Sequence, residues 1–394
     1  MVAPLSHIRV LELARVLAGP WAGQLLADLG ADVVKIERPV RGDDTREWGP
    51  PFIEAENGEN LGAAYFHSCN RGKRGLTADF ETEEGRALVR HLVAHADVLI
   101  ENYKVGGLKK YGLDYDNLKV INPRLVYCSI TGFGQDGPYA PRPGYDFLVQ
   151  GLGGMMALTG PVEGPPEKAG LAIADLFTGL YAANAVQAAL LRRDQTGEGA
   201  YIDCALLDTQ VSLLSSQGLG YLVTGQAPHR MANAHSNIVP YDVFKASDGD
   251  FIIAGGNDSQ FQHLCGLLGA PELANDPRFS TNPARVTNRD VLTVLLNELT
   301  RKHPRAEILA GLEHVGVPCA SINTIPEVFV DPQVVARGMR VDLDHPRAKG
   351  GTIPSLRSPI VMDGEHLYAR RHAPDLGADA GDVLADPNWG GGKV

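Results

Sequence analysis

Asp175 stands alone at the front of the apolar stretch GLAIADLFTGLYAANAVQAALLRR (170–193). The residues after it recur with helical spacing, so the pattern predicts a helix that Asp175 caps or just precedes, with a close-packing face of Gly179, Ala182, Ala183 and Ala189. On its own, an aspartate in such a place reads as an N-cap that satisfies orphan N–H groups. Three basic clusters ask for different chemistry: Arg38, the string NRGKRG (70–75), and Lys109 with Lys110 just beyond ENYKVGG (101–107). Each reads either as solvated surface or, taken together near strand ends, as cations converging on a polyphosphate group. The run AGG (254–256) before Asn257 offers no side chain to obstruct a backbone closing over a ligand, so it is either a turn or a mobile glycine lid.

Hydrophobic patterning supplies the frame for these residues. IRVLELA (8–14) reads as a buried strand, GPWAGQLLADLG (19–30) as a helix ending at Gly30, and ADVVKIERP (31–39) as a second strand stopped by Pro39. An amphipathic helix over 82–96 and strands over 97–102 and 124–134 repeat the alternation. The expected product is an open parallel α/β sheet, which binds ligands outside the carboxyl ends of its strands, where Arg38, Asn102 and Thr131 fall. After residue 224 the composition turns rich in turn formers. We therefore expect a large domain over 1–224, a smaller α/β domain over 225–326, and a Pro-rich return to the large domain over 327–394.

Several chemistries lose support. GFGQDG (132–137) matches G-x-G-x-x-G, but PYAPRPG follows it where a nucleotide-gripping loop must open a helix. No P-loop, H-E-x-x-H or G-x-S-x-G occurs, and the 12 histidines show no metal-ligand spacing, so no metal site is expected. The 5 cysteines contain no C-x-x-C pair, which suggests neither a disulfide framework nor structural zinc. A net charge of −11 argues against nucleic acid or an anionic membrane as partner. With no signal-peptide pattern at its start and no window apolar enough for a membrane span, the chain is expected to be cytoplasmic.

The strings RVLAGP (15–20), ADVVKIERP, GDDTREWGPPF (42–52), ENY (101–103), SITGFGQDGP (129–138), GYD (144–146), IADL (173–176) and TGEGAYIDCALLD (196–208) together resemble the class III CoA-transferase family, the carnitine dehydratase and bile-acid-inducible operon group. GDDTREWGPPF and HSNIVPYDVFKASDG (235–249) are most similar to its succinyl-CoA:dicarboxylate branch, of the glutarate or hydroxymethylglutarate type. The resemblance implies an interlocked homodimer with a Rossmann-like large domain built from both chain ends and a small middle domain. It implies that Asp175 attacks the donor thioester, passing through a mixed anhydride and an aspartyl-CoA thioester, with Gly255 and Gly256 shielding these intermediates from water. CoA is then a substrate and no tightly bound cofactor is needed. Its contacts carry over to Val16, Ala18, Arg38, Lys73, Asn102, Tyr103 and Lys110. For the far carboxylate of an acid substrate the candidates are Arg15, Arg46 and His235, because a charge-assisted or bidentate partner suits it best. Tyr145 joins the substrate set; it stands where the racemase branch of the same fold has the His of its GHD motif. That branch, acting on α-methylacyl-CoA as racemase or epimerase, is the alternative activity, and the missing His counts against it. A catalytically silent CoA-binding protein is a third reading, against which Asp175 argues.

Overall fold

The computed structural model describes residues 2–391. Six strands form its main sheet: β1 (Arg9–Glu12), β2 (Asp32–Glu37), β3 (Lys73–Thr77), β4 (Val98–Glu101), β5 (Val126–Thr131) and β6 (Ala200–Ala205). All neighbouring pairs run parallel, in the spatial order β3-β2-β1-β4-β5-β6. Chain direction across the sheet reverses between β1 and β4, and such a switch point opens a crevice at the carboxyl ends of the strands. The central strands β4 and β5 are covered on both faces, and every residue of them is buried.

Alternate side chains of one strand feed two cores. Val10 joins Ala22, Leu26, Ala182, Ala183 and Val186 under helices α1 (Ala18–Asp28) and α4 (Ile173–Thr196). Leu11 joins Val34, Val89, Leu92 and Trp389 on the opposite face, under α2 (Glu83–Val93). Helix α2 starts where the Thr82 hydroxyl accepts from Gly85 N–H, and it carries Glu83 and Glu84 at its first turn and Arg90 and His91 at its last, matching its dipole. Two shorter helices, α3 (Asp146–Leu152) and α5 (Leu206–Ser212), pack near α4.

The chain folds as two compact units. Among the described residues the first holds 2–156, 168–226 and 335–391, and includes the whole parallel sheet. The last of these segments is tied down by polar anchors: the Trp389 indole donates to Asp32 at 2.7 Å, and Ala369 N–H donates to Asp28 at 2.9 Å. Residues 157–167 and 227–334 form the second unit, so a short segment inside the expected large domain belongs with the smaller one. That unit contains an antiparallel sheet of β7 (Tyr241–Lys245), β8 (Asp250–Ala254) and β9 (Cys319–Ser321), over a core of Phe244, Phe251, Phe261 and Leu296.

Two expectations shift. Asp175 does not precede its helix; α4 begins at Ile173, so Asp175 sits inside the first turn. The basic string NRGKRG is not surface: Lys73 and Arg74 open strand β3, which the sequence pattern hid behind its charges.

Candidate active site

A cleft of about 400 Å³ opens at the carboxyl ends of the strands, lined by Arg15, Val16, Leu17, Ala18, Asn102, Tyr103, Lys104, Lys110, Thr131, Arg142, Tyr145 and Asp175 among others. A second hollow of about 340 Å³ shares Arg15, Tyr103 and Tyr111 with it and adds Arg38, Phe80 and Glu81. The two make one groove, with an aromatic patch of Phe80, Tyr103 and Tyr111 on its side, ring centroids 6.0 to 6.2 Å apart around Phe80.

The Asp175 carboxylate accepts no hydrogen bond from any described group, while the amides around it are held. Asp146, the first residue of α3, accepts from Ala174 N–H at 2.8 Å and Asp175 N–H at 3.3 Å, and so caps the start of α4 from another helix. Gln150 donates to the other Asp146 oxygen at 2.6 Å and accepts from Ala169 N–H at 2.9 Å, fixing the approach to α4. Burial, and secondly the negative charge of Asp146, raise the Asp175 pKa to about 7. A carboxylate that is partly desolvated, unpaired and facing a cleft makes Asp175 a candidate nucleophile or base.

Opposite Asp175 the chain turns through an elbow, residues 14–18. Val16 has φ +69°, a left-handed conformation that a β-branched residue adopts only when its surroundings impose it. Here they do. Asn102 brackets Arg15, accepting from its N–H at 2.8 Å and donating to its carbonyl at 2.6 Å. Both Asp43 carboxylate oxygens lie 3.2 Å from Val16 N–H, and Lys35 donates to Ala14 O at 2.8 Å. Helix α4 meets the elbow closely because residue 179 is glycine: a Cβ there would stand 2.6 Å from Ala18 O. The facing loop is pinned in the same way, since a Cβ on Gly132 would lie 2.4 Å from the Gly144 Cα.

Arg15, Val16, Ala18, Asn102, Tyr103, Lys110 and Tyr145 therefore line the same cleft as Asp175, and Arg38 lines the adjoining hollow. Arg15 and Arg38 both pair with Asp44, Arg15 at 2.8 Å. Lys110 lies 3.4 Å from Glu81.

Two expected residues are spent elsewhere. Lys73 has no exposed surface; its ammonium donates to Glu12 at 2.9 Å, Pro20 O at 2.8 Å and Asn70 at 2.8 Å, which leaves no free N–H for a phosphate. Arg46 forks onto Glu37 at 2.8 and 2.7 Å, donates to Pro374 O and stacks on Phe66, so its guanidinium is committed beneath the surface. His235, Gly255 and Gly256 belong to the second unit. There His235 lies against Tyr241, and Gly255 and Gly256 lead from β8 into a helix that Asn257 caps by accepting from Gln260 N–H at 2.9 Å.

Asp43, Asp146, Lys104 and Arg142 are parts of this site that the residue pattern did not single out. Asp146 is 29 residues from the amide it caps, a separation that carries no periodic signal. Among the described residues no cluster of His, Cys, Asp and Glu could hold a metal ion, and no helix is long and apolar enough to cross a membrane.

The parallel α/β sheet agrees with the fold of the solved relatives. The model of CoA-transferase family III matches residues 5–380, and the chain belongs to that family; it is a CoA-transferase by membership. A succinate–glutarate CoA-transferase of Agrobacterium fabrum is 54% identical over 384 residues, covering 97% of this chain and 95% of the relative. The human succinyl-CoA:glutarate CoA-transferase is 41% identical, over 95% of this chain and 84% of its own. A crystal structure of a CaiB/BaiF family protein from Brucella suis superposes with a TM-score of 0.87 at 56% identity, over 97% of this chain and 99% of that one.

Proposed function

We propose that this chain transfers CoA between succinyl-CoA and a second C4 to C6 dicarboxylic acid such as glutarate, with Asp175 as the covalent carrier. The observation that carries the reading is the Asp175 carboxylate, half-buried and without a donor, at a crevice whose neighbouring hollow presents Arg38 and an aromatic patch suited to a nucleotide. The names of the relatives supply the substrate class.

Ionised Asp175 attacks the thioester carbonyl and the C–S bond breaks, releasing CoA thiolate and leaving a mixed anhydride. The thiolate attacks the aspartyl carbonyl, expelling the donor acid and leaving an aspartyl-CoA thioester. The acceptor carboxylate attacks that thioester and expels the thiolate again, giving a second anhydride. Attack of the thiolate on the acceptor's acyl carbon frees Asp175 and the new acyl-CoA. Every leaving group is a carboxylate or a thiolate, so no metal or redox group is called for. Cleft residues Val16 and Ala18 border the pantetheine arm, Asn102, Tyr103 and Arg38 the adenine, and Lys110 the phosphates in this reading. Gly255 and Gly256 act as the lid, Tyr145 lies beside the acyl group, and Arg15 is held for substrate while Asp44 and Tyr103 orient it.

The same reading makes the large unit Rossmann-like, which the strand order supports, and makes the protein a cytoplasmic, interlocked homodimer. In support of a second copy, α4 is apolar on its outer side too: Phe177, Leu180 and Tyr181 are exposed beside Leu25, Leu29 and Ile360 around a hollow of about 420 Å³.

Incubation with succinyl-CoA and glutarate should yield glutaryl-CoA, and mass spectrometry of quenched turnover should find an acyl or CoA adduct on Asp175. Turnover that persists in Asp175→Ala would contradict the mechanism.

A further inference from the structure

Four cationic side chains line the cleft that holds Asp175: Arg15, Lys104, Lys110 and Arg142. Arg15 is paired with Asp44, and Lys110 with Glu81. Lys104 faces two ways, since it also lines a separate hollow that contains Glu101, Asp114 and Asp116. Neither Lys104 nor Arg142 has a described carboxylate within ion-pair distance, but of these two only Arg142 is held by an aromatic ring, its guanidinium 3.9 Å from the centroid of Tyr139. That stacking orients the planar fork while leaving its N–H edge unspent.

Its backbone is held to the reacting end of the cleft. Arg142 N–H donates to Tyr139 O at 2.8 Å, Pro141 and Pro143 flank it and fix φ on both sides, and Gly144 abuts Gly132. Two residues further on comes Asp146, whose carboxylate holds the Asp175 amide at 3.3 Å. One short, pinned segment thus carries both the anchor of the nucleophile and an uncommitted guanidinium.

Asp146 and Asp175 make the reacting end of the cleft acidic, and a substrate with a second carboxylate needs a cation there to offset the repulsion. We propose that Arg142 receives the distal, non-reacting carboxylate of the acyl group and so determines preference for dicarboxylic over monocarboxylic acids. The inference rests on the dicarboxylate reading above and assigns its recognition to a residue of this chain.

A competition isolates the effect. With succinyl-CoA as donor and equal glutarate and pentanoate as acceptors, both acids capture the same aspartyl-CoA thioester, so the ratio of glutaryl-CoA to pentanoyl-CoA depends on the acceptor alone. In Arg142→Gln that ratio is expected to fall by about tenfold or more, the loss typical of one charge-assisted hydrogen bond, with Arg142→Lys intermediate. Arg142 is exposed, so melting temperatures should match and report no folding defect. An unchanged product ratio in Arg142→Gln overturns the proposal. If the unchanged ratio comes with a raised KM for both succinyl-CoA and a monoacyl-CoA, the guanidinium belongs to a CoA phosphate instead. A wild-type enzyme that makes pentanoyl-CoA but no glutaryl-CoA sinks the dicarboxylate reading itself, and the Arg142 assignment with it.

Discussion

Two groups of charge flank the same crevice and are built on opposite principles. Behind the elbow, Glu12, Lys35, Asp43 and Lys73 lie with no more than trace exposure, and each charge is met: Lys35 reaches Glu12 and Asp43, both at 3.1 Å, and Lys73 reaches Glu12 at 2.8 Å. Burial alone would discharge Lys35, but Asp43 and then Glu12 hold it charged and raise its pKa, while Lys35 holds Asp43 below the usual carboxylate range despite its burial. At the floor of the cleft, Asp175 has burial and a like charge and nothing to offset them. Compensated charge keeps a strained backbone in place; uncompensated charge is available for reaction. The first group is fully enclosed and paired, whereas Asp175 is half-buried, faces the cleft and has no partner.

The largest test removes the uncompensated charge. Asp175→Asn should abolish CoA transfer and at the same time stabilise the protein. The sign follows from linkage: a carboxyl with a folded pKa of about 7, against about 4 unfolded, contributes stability that is fully present below pH 4 and is lost as pH rises through 7. The variant should therefore melt higher than wild type at pH 8 and no differently at pH 3.5, as read by calorimetry. Equal melting temperatures at pH 8 would mean that the Asp175 charge is not held at a cost.

Breaking the compensated group should do the reverse. Asp43→Asn leaves Lys35 short of a partner in the interior and loosens the Val16 amide, with an expected loss of about 3 to 5 kcal/mol in urea unfolding at neutral pH. Asp43 has a lowered pKa, so the stability it gives is present above its unfolded value and lost as pH falls through the folded one. The two aspartates should thus carry opposite pH signatures. A loss below about 1 kcal/mol would place Asp43 among dispensable surface charges.

The ease of reading this chain in advance follows the same division. Strands β1, β2, β4 and β5 and helices α1 and α2 announce themselves, because apolar periodicity is a local property. Strand β3 does not: its buried Lys73 is stable only because Glu12 and Asn70, distant in sequence or hidden in a turn, reach it. Arg46 looked available for the same reason, since nothing near it in sequence discloses the fork onto Glu37 and the stack on Phe66. Asp175, with an apolar helix after it, was conspicuous. Asp146 and Arg142, which complete its surroundings, come from a Pro-rich loop and a short helix whose pattern signals only a turn. Charged residues acquire their roles from tertiary partners, and those partners are what a linear pattern omits.

Gly179 gives a test intermediate in size, aimed at the spacing between the frame and Asp175. A methyl at this position would meet the backbone oxygen of Ala18 at 2.6 Å, and neither the elbow nor α4 can yield by rotating a side chain. Gly179→Ala should cost about 1 to 3 kcal/mol of stability by overpacking. It should also reduce kcat more than it raises the KM for succinyl-CoA, since the hollow proposed for the nucleotide lies apart from this contact. A variant of normal activity would show that Asp175 does not need this distance.

The smallest effect comes from moving the titration without removing Asp175. With Asp175 active only when ionised, kcat/KM should fall as pH drops below about 7. Asp146→Asn keeps an oxygen to accept from Ala174 and Asp175 N–H but deletes the like charge, so the acidic limb of the profile should move to lower pH. The move should be partial, because burial is the larger cause and remains. Glu101 is the necessary control: burial raises its pKa to about 7 as well, while Tyr103 N–H donates to it at 2.8 Å. Glu101→Gln should leave the limb where it was. If the limb follows Glu101 rather than Asp146, the group titrating near neutrality is the one beneath Tyr103, and the unpaired charge in the cleft is not what the pH profile reports.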